Sequence, residues 1–232
     1  MNPLQAIERI RTSGVVAILR LPTPDDFLPA AEAIREGGVG AVEWALGEPE
    51  RLRAFDVART RLGRDLLMGG GTILTADDAK EAIRAGAQFL VAPTLSPDVL
   101  RVGLERDVPV IPGAFTATEI ARAWELGATL VKLFPAGPVG PAYLRDIQGP
   151  IPYVSLIPSG GITLENAEAF IRAGAAAVGV GNALVSRELV TRRDFREITA
   201  RARKFVETVA RARGGAQRDI LPARPVEGPD TR

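Results

Sequence analysis

A closed parallel (β/α)8 barrel of the TIM type, preceded by one extra N-terminal helix, is the α/β fold class this sequence predicts. Three observations predict it. First, one joint recurs: an Ala/Glu/Arg-rich helical segment ends at glycine and runs into a short apolar stretch, in AEAIREGGVGAVEWAL, EAIRAGAQFLVAP, ARAWELGATLVKLF and AFIRAGAAAVGVG. Glycine closes a helix because it enters the left-handed conformation without steric cost, and the apolar run after it reads as a strand. Second, weaker joints at RLGRDLLMGG, ERDVPVIPG and GPIPYVSLIPSG fall between these, so strands begin near residues 14, 39, 65, 88, 109, 129, 153 and 176 at nearly even spacing. Third, the strands are apolar along their length rather than alternating, the pattern of a parallel sheet covered on both faces. An open doubly wound sheet is the alternative, but the even spacing leaves no obvious edge strand or switch point.

Taken in order, residues 2–13 read as the extra helix, VVAIL as the first strand, and DFREITARARKFVETVARAR as the last helix. One domain is expected over residues 1–212, and residues 213–232, rich in Gly, Pro and charge, read as a disordered or loosely attached tail. Such barrels carry function at the C-terminal ends of their strands. Those ends are AILR (closing at Arg20), VEWAL (Leu46), MGGGT (Thr72), VAPT (Thr94), IPGAFT (Thr116), VKLFP (Pro135), LIPSGG (Gly161) and VGVGN (Asn182).

Composition narrows the chemistry. The 232 residues include no cysteine and no histidine, which excludes disulfides, a cysteine nucleophile, a Ser-His-Asp triad and histidine-ligated zinc. Acid-base or covalent steps must come from carboxylates, lysine, tyrosine or hydroxyls. The 29 basic residues nearly cancel the 28 acidic ones, which gives no support to a nucleic-acid binder. No apolar run approaches the ~20 residues of a membrane span, and MNPLQAIERIRTSG lacks the core of a signal peptide, so a cytoplasmic setting is expected.

Only Lys80, Lys132 and Lys204 are lysines, so the place of each is informative. Lys132 lies in TLVKLFP, inside an expected strand. Desolvation disfavours an ammonium there and favours an amine nucleophile able to form a Schiff base, while a snorkelling or paired strand-end lysine is the plainer reading. Glu43 is enclosed by Val42 and Trp44 on the second strand, where burial suits a carboxyl to carry protons near neutrality or to serve as a structural ion-pair partner. On inward-pointing strands of one barrel the two would meet at its mouth. Arg20 could grip a substrate carboxylate through two hydrogen bonds, or be an ordinary strand-end arginine. Gly71 and the Thr72 hydroxyl close the third strand and allow an anion near the backbone, although a tight turn explains the glycines as well. Ser159, Gly160 and Gly161, with Gly181 and Asn182 on the following loop, suit a phosphate cradle, against which stand plain turns. Pro93 and Phe134, beside the fourth and sixth strand ends, complete the candidate substrate-binding set.

At these residues the chain resembles the family of 2-keto-3-deoxy-6-phosphogluconate and 4-hydroxy-2-oxoglutarate aldolases. The likeness runs from about Gly14 to Val185, in the order VVAILR, GVGAVEWAL, GGGTIL, GAQFLVAPTLSPDVL, IPGAFTATE, VKLFPA and PSGGI. The resemblance implies a class I aldolase, with Lys132 as the Schiff-base lysine and Glu43 as the acid-base residue. It also implies Thr72 and Arg20 near the pyruvyl carboxylate and the glycines near 160 and 181 at the phosphate. Further implied are a homotrimer, no metal or other cofactor, and possible 4-hydroxy-2-oxoglutarate cleavage. Gluconate-type members often carry an arginine shortly after the strand 2 glutamate, where this chain has Gly47. In that respect, and in KLFPAGPVGPAYL, the chain is more similar to the 6-phosphogalactonate branch. Trp44 and Ser159 also depart from the smaller residue and the threonine usual at those places.

The expected activity is cleavage of a 2-keto-3-deoxy-6-phospho sugar acid, gluconate or galactonate, to pyruvate and glyceraldehyde 3-phosphate. Two other readings are open on sequence grounds: an isomerase or synthase in which Glu43 is the base and Lys132 only an electrostatic contact, and a non-catalytic phosphosugar-binding barrel.

Overall fold

The computed structural model describes residues 2–46 and 48–214. Helix and strand alternate along them. Helix α1 (Pro3–Ser13) leads into β1 (Val15–Leu19), α2 (Phe27–Glu36), β2 (Ala41–Ala45), α3 (Pro49–Leu62), β3 (Leu67–Gly71), α4 (Ala76–Arg84) and β4 (Phe89–Val91). Then follow α5 (Pro97–Glu105), β5 (Val110–Ile111), β6 (Gly113–Ala114), α6 (Ala117–Glu125), β7 (Val131–Leu133), α7 (Gly140–Gln148) and β8 (Leu156–Pro158). Helix α8 (Leu164–Arg172), β9 (Val178–Val180), the short α9 (Arg187–Thr191) and α10 (Phe195–Gly214) complete the order. The four joint glycines behave as their sequence context predicts: Gly38, Gly86, Gly127 and Gly174 all have positive φ, between 89° and 109°.

The fifth expected strand is two short ones, β5 and β6, on either side of Pro112. Proline has no N–H to give to a ladder, and here its carbonyl turns to one neighbour while the preceding carbonyl turns to the other. Ala92 N donates to Ile111 O at 3.1 Å and Lys132 N to Pro112 O at 2.8 Å. All pairings are parallel, in a six-stranded sheet of order β5-β4-β3-β2-β1-β9 and a three-stranded sheet of order β6-β7-β8. Within each sheet consecutive strands are neighbours, with β9 added beside β1, and neither sheet shows the reversal of order that a doubly wound sheet requires. Between β8 and β9, Ser159 bridges Gly179 and Ala176 N donates to Leu156 O at 2.9 Å.

The strands are apolar on both faces because each face meets a separate core. One face contributes Val16, Ala41, Leu67, Phe89, Val91, Ile111, Leu130, Ile157 and Ala177 to an inner cluster, which Ala6, Ile7 and Ile10 of α1 cover near the N-terminal ends of the strands. Burying each isoleucine contributes about 1.5–3 kcal/mol, which is what seats the extra helix. The alternate positions, among them Ala17, Val42, Trp44, Met68, Leu90, Val131 and Val178, pack outward against the helices. Trp44 belongs to this outer layer: its ring stacks on Phe27 with centroids 4.1 Å apart. Its bulk therefore fills the space between β2 and the helices and is kept away from the strand face that carries Glu43.

Helix α10 extends two residues beyond the expected domain end, to Gly214. Arg213 is held there by carbonyls of the first helix and of the loop before β9, at Arg11 (2.6 Å), Thr12 (3.0 Å) and Ala176 (2.7 Å). The rest of the expected tail, 215–232, lies outside the described residues. Among the described residues no helix is long and apolar enough to cross a membrane.

Candidate active site

The inner face of each strand alternates with period two, so the inward positions can be counted from the inner cluster. Ala41 points inward, hence Glu43 does; Leu130 points inward, hence Lys132 does. In register Glu43 stands between Ile18 and Gly69, and Lys132 between Gly113 and Ile157. From different strands and different sheets the two side chains meet inside: Lys132 Nζ lies 3.5 Å from Glu43 Oε1. Both are buried, Glu43 at 5% and Lys132 at 9% exposure, which makes them the only buried charged side chains among the described residues.

Burial pushes the Glu43 carboxyl up from its ordinary value, because a carboxylate loses its hydration there. The Lys132 ammonium, through charge and hydrogen bond, and the more distant Arg20 guanidinium pull it back down. Lys132 Nζ also lies 5.3 Å from the centroid of the Phe134 ring, a cation–π contact. Gly71 permits the carboxyl its place. A Cβ there would sit 3.3 Å from Glu43 Oε1, tighter than ordinary contact.

At the rim, Thr72 is exposed and holds φ at 60°. A β-branched residue in the left-handed region is a backbone outlier costing about 1–3 kcal/mol, the kind of strain found where a side chain must be aimed. Arg20 is exposed at the end of β1 and makes no ion pair among the described residues, although it is close enough to act on Glu43. Pro93 is half-buried after β4, and neither it nor Asn182 hydrogen-bonds Lys132 or Glu43. Ser159 is buried, with its Oγ directly over Gly179: a Cβ on Gly179 would lie 2.0 Å from it. Gly160 backs onto the Phe134 ring. Gly181 and Asn182 follow β9, on the strand next to β8. Among the described residues no group of three or more acidic side chains could hold a metal ion.

The model of the KDPG and KHG aldolases matches residues 6–201, from within α1 as far as the first third of α10. The chain belongs to that family. A 2-dehydro-3-deoxy-phosphogluconate aldolase of Treponema pallidum is 34% identical over 206 residues, 88% of this aldolase and 96% of the relative. A 2-dehydro-3-deoxy-6-phosphogalactonate aldolase of Escherichia coli is 32% identical over 84% of this chain and 96% of its own. Among solved structures, the KDPG aldolase of Legionella pneumophila, with pyruvate captured as a covalent carbinolamine, is 29% identical. It superposes with a TM-score of 0.79 over 86% of this chain and 97% of that one. The protein is thus an aldolase, a lyase.

Three rim contacts of this aldolase escape a reading of the sequence. Arg51 Nη1 reaches back from α3 to Ala45 O at 3.3 Å, bringing a second guanidinium to the strand that carries Glu43. Asn166 Nδ2 donates to Gly161 O at 2.8 Å, and Arg201 Nη1 to Ala183 O at 3.3 Å. Each sits within a helix in sequence, where a polar residue reads as solvent-facing. Only Asn166 leaves a trace, as the third helical residue after Thr163, a capping position.

Proposed function

We propose that this aldolase cleaves a 2-keto-3-deoxy-6-phospho sugar acid, gluconate or galactonate, to pyruvate and D-glyceraldehyde 3-phosphate through a Schiff base on Lys132. The observation that carries the reading is the buried Lys132–Glu43 contact at 3.5 Å. A proton passed from the ammonium to the carboxylate leaves a neutral amine, and burial favours that exchange because it removes two charges from a dry site. The amine attacks the C2 carbonyl. Glu43 returns the proton as the carbinolamine loses water, and the iminium results. The Glu43 carboxylate then takes the C4 hydroxyl proton, directly or through a water, and the C3–C4 bond breaks. Its electrons move into the iminium to give the enamine, and the aldehyde departs as glyceraldehyde 3-phosphate. Protonation of the enamine at C3 and addition of water release pyruvate and the free lysine. Protein side chains and water suffice for every step.

Arg20 and Thr72 are assigned to the carboxylate, beside Gly71, with Pro93 and Phe134 as walls. Ser159, Gly160, Gly161, Gly181 and Asn182 are assigned to the phosphate end. Supporting the latter, the amides of Gly160, Gly161 and Asn182 donate to no protein acceptor among the described residues. The same reading joins the two sheets into one closed (β/α)8 barrel, supported by the Ser159–Gly179 bridge and by Pro112 lying between β5 and β6. It takes the enzyme as a single-domain cytoplasmic homotrimer, and the exposed Leu74, Leu104 and Tyr153 offer apolar surface for partners. Reduction with borohydride in the presence of pyruvate, followed by digestion and mass spectrometry, tests the assignment. The label is expected on Lys132. Its appearance on Lys80, which is exposed and paired with Asp77, or on the exposed Lys204, overturns the reading, as does its absence.

A further inference from the structure

In both loops assigned to the phosphate, several carbonyls are held by protein donors while the amides that follow or flank them are left over. After β8, Ser159 O accepts from Ala136 N (2.8 Å), Gly160 O from Gly137 N (2.7 Å) and Gly161 O from Asn166 Nδ2 (2.8 Å). After β9, Gly181 O accepts from Leu184 N and Val185 N (both 2.9 Å), and Ala183 O from Arg201 Nη1 (3.3 Å). The amides of Gly160, Gly161, Ile162, Asn182 and Ala183 have no protein acceptor among the described residues. A trans peptide points its N–H opposite to its C=O, so a held carbonyl fixes the direction of the next residue's amide. Gly160 and Gly161 both sit at positive φ, 80° and 83°, which lets successive amides present themselves together.

One carbonyl in each loop, Gly161 O and Ala183 O, is held by a side chain from a helix, not by backbone. Asn166, in the first turn of α8, fixes the Gly161–Ile162 peptide while its Oδ1 accepts from Thr163 N at 2.9 Å. Arg201, braced by Glu197 at 2.8 Å, fixes the Ala183–Leu184 peptide, and Leu184 N in turn holds the Gly181 carbonyl that sets the direction of the Asn182 amide. We propose that Asn166 and Arg201 are positioning residues for phosphate binding. Each keeps a carbonyl oxygen turned away from the anion and the neighbouring amides turned out. This rests on the phosphate reading above and extends it to two residues that touch neither the phosphate nor Lys132.

The test compares wild type with Asn166→Ser and Arg201→Met. Serine leaves an acceptor for Thr163 without adding charge, and methionine keeps the stem of Arg201 without its donors. Three quantities are measured: inhibition by inorganic phosphate, KM and kcat for the phosphorylated keto-deoxy acid, and KM for unphosphorylated 4-hydroxy-2-oxoglutarate. Each variant is expected to weaken phosphate inhibition and raise KM for the phosphorylated substrate about three- to tenfold, the worth of one lost hydrogen bond. KM for the unphosphorylated acid moves little, and Arg201→Lys recovers part of the loss. Equal losses on both substrates, or phosphate inhibition at the wild-type level in both variants, overturn the positioning role. A wild type that phosphate does not inhibit, and that treats the two substrates alike, overturns the phosphate reading itself.

Discussion

Glu43 is pulled in two directions, by burial toward the neutral acid and by Lys132 and Arg20 toward the carboxylate, and its chemistry depends on the balance. In the proposed mechanism it takes the C4 proton and must be ionised to do so, so turnover is expected to rise with pH through its apparent pKa. Because burial dominates, the acid limb of kcat/KM is expected above the range of an ordinary glutamate. Arg20→Ala removes one of the charges that hold the pKa down and so moves that limb to still higher pH; a limb that stays in place separates Arg20 from the site. The same variant should weaken pyruvate by about 1.5–3 kcal/mol if the guanidinium binds the carboxylate, read as the pyruvate concentration needed for borohydride labelling. Glu43→Gln keeps shape and loses the proton carrier, which predicts a fall in kcat of about 10²- to 10⁴-fold with the thermal transition retained. Turnover within a few-fold of wild type assigns the proton to another group. The meeting of Lys132 and Glu43 in one buried place was legible in the sequence because each is a lone charge inside an apolar strand run. Arg51 was not, since its reach to Ala45 depends on the path of a loop rather than on its neighbours. Nor was the left-handed backbone of Thr72, which no residue of its type advertises.

At the scale of elements, the joint between β8 and β9 is the narrowest. It is made by the Ser159–Gly179 bridge and the Ala176–Leu156 hydrogen bond, and Ser159 Oγ occupies the space where a side chain at 179 would begin. Gly179→Ala therefore forces the two strands apart and is expected to cost about 1–3 kcal/mol, the usual range for overpacking, by chemical denaturation. Ser159→Gly in the same chain should restore most of it. If the double variant is no more stable than the single one, the clash lies elsewhere. Strand identities were legible because glycine joints punctuate them. The division of the fifth strand was foreshadowed only by Pro112, a residue equally at home just outside a strand. That Ser159 faces Gly179 follows from registers between strands, which depend on the pairings along both sheets and not on local sequence.

For the whole molecule, both ends of the described chain meet at the N-terminal side of the strands. Helix α1 lays Ala6, Ile7 and Ile10 over the inner cluster, and Arg213 from the last turn of α10 holds the carbonyls at Arg11, Thr12 and Ala176. Arg213→Met leaves three carbonyls without their charged donor and is expected to lower stability by about 2–3 kcal/mol, measured by urea denaturation. An unchanged midpoint shows that water replaces the guanidinium without cost. The extra helix could be read from residues 2–13, but its anchor could not, because an arginine near the end of a basic helix resembles its neighbours until the fold brings residue 11 beside it. That arrangement bears on how the protein is made. A ribosome delivers α1 well before Arg213, and the inner cluster on which α1 rests includes Ala177, just before β9. Until those residues emerge, α1 thus carries an apolar face whose seat is still incomplete, and only the emergence of α10 fastens it down.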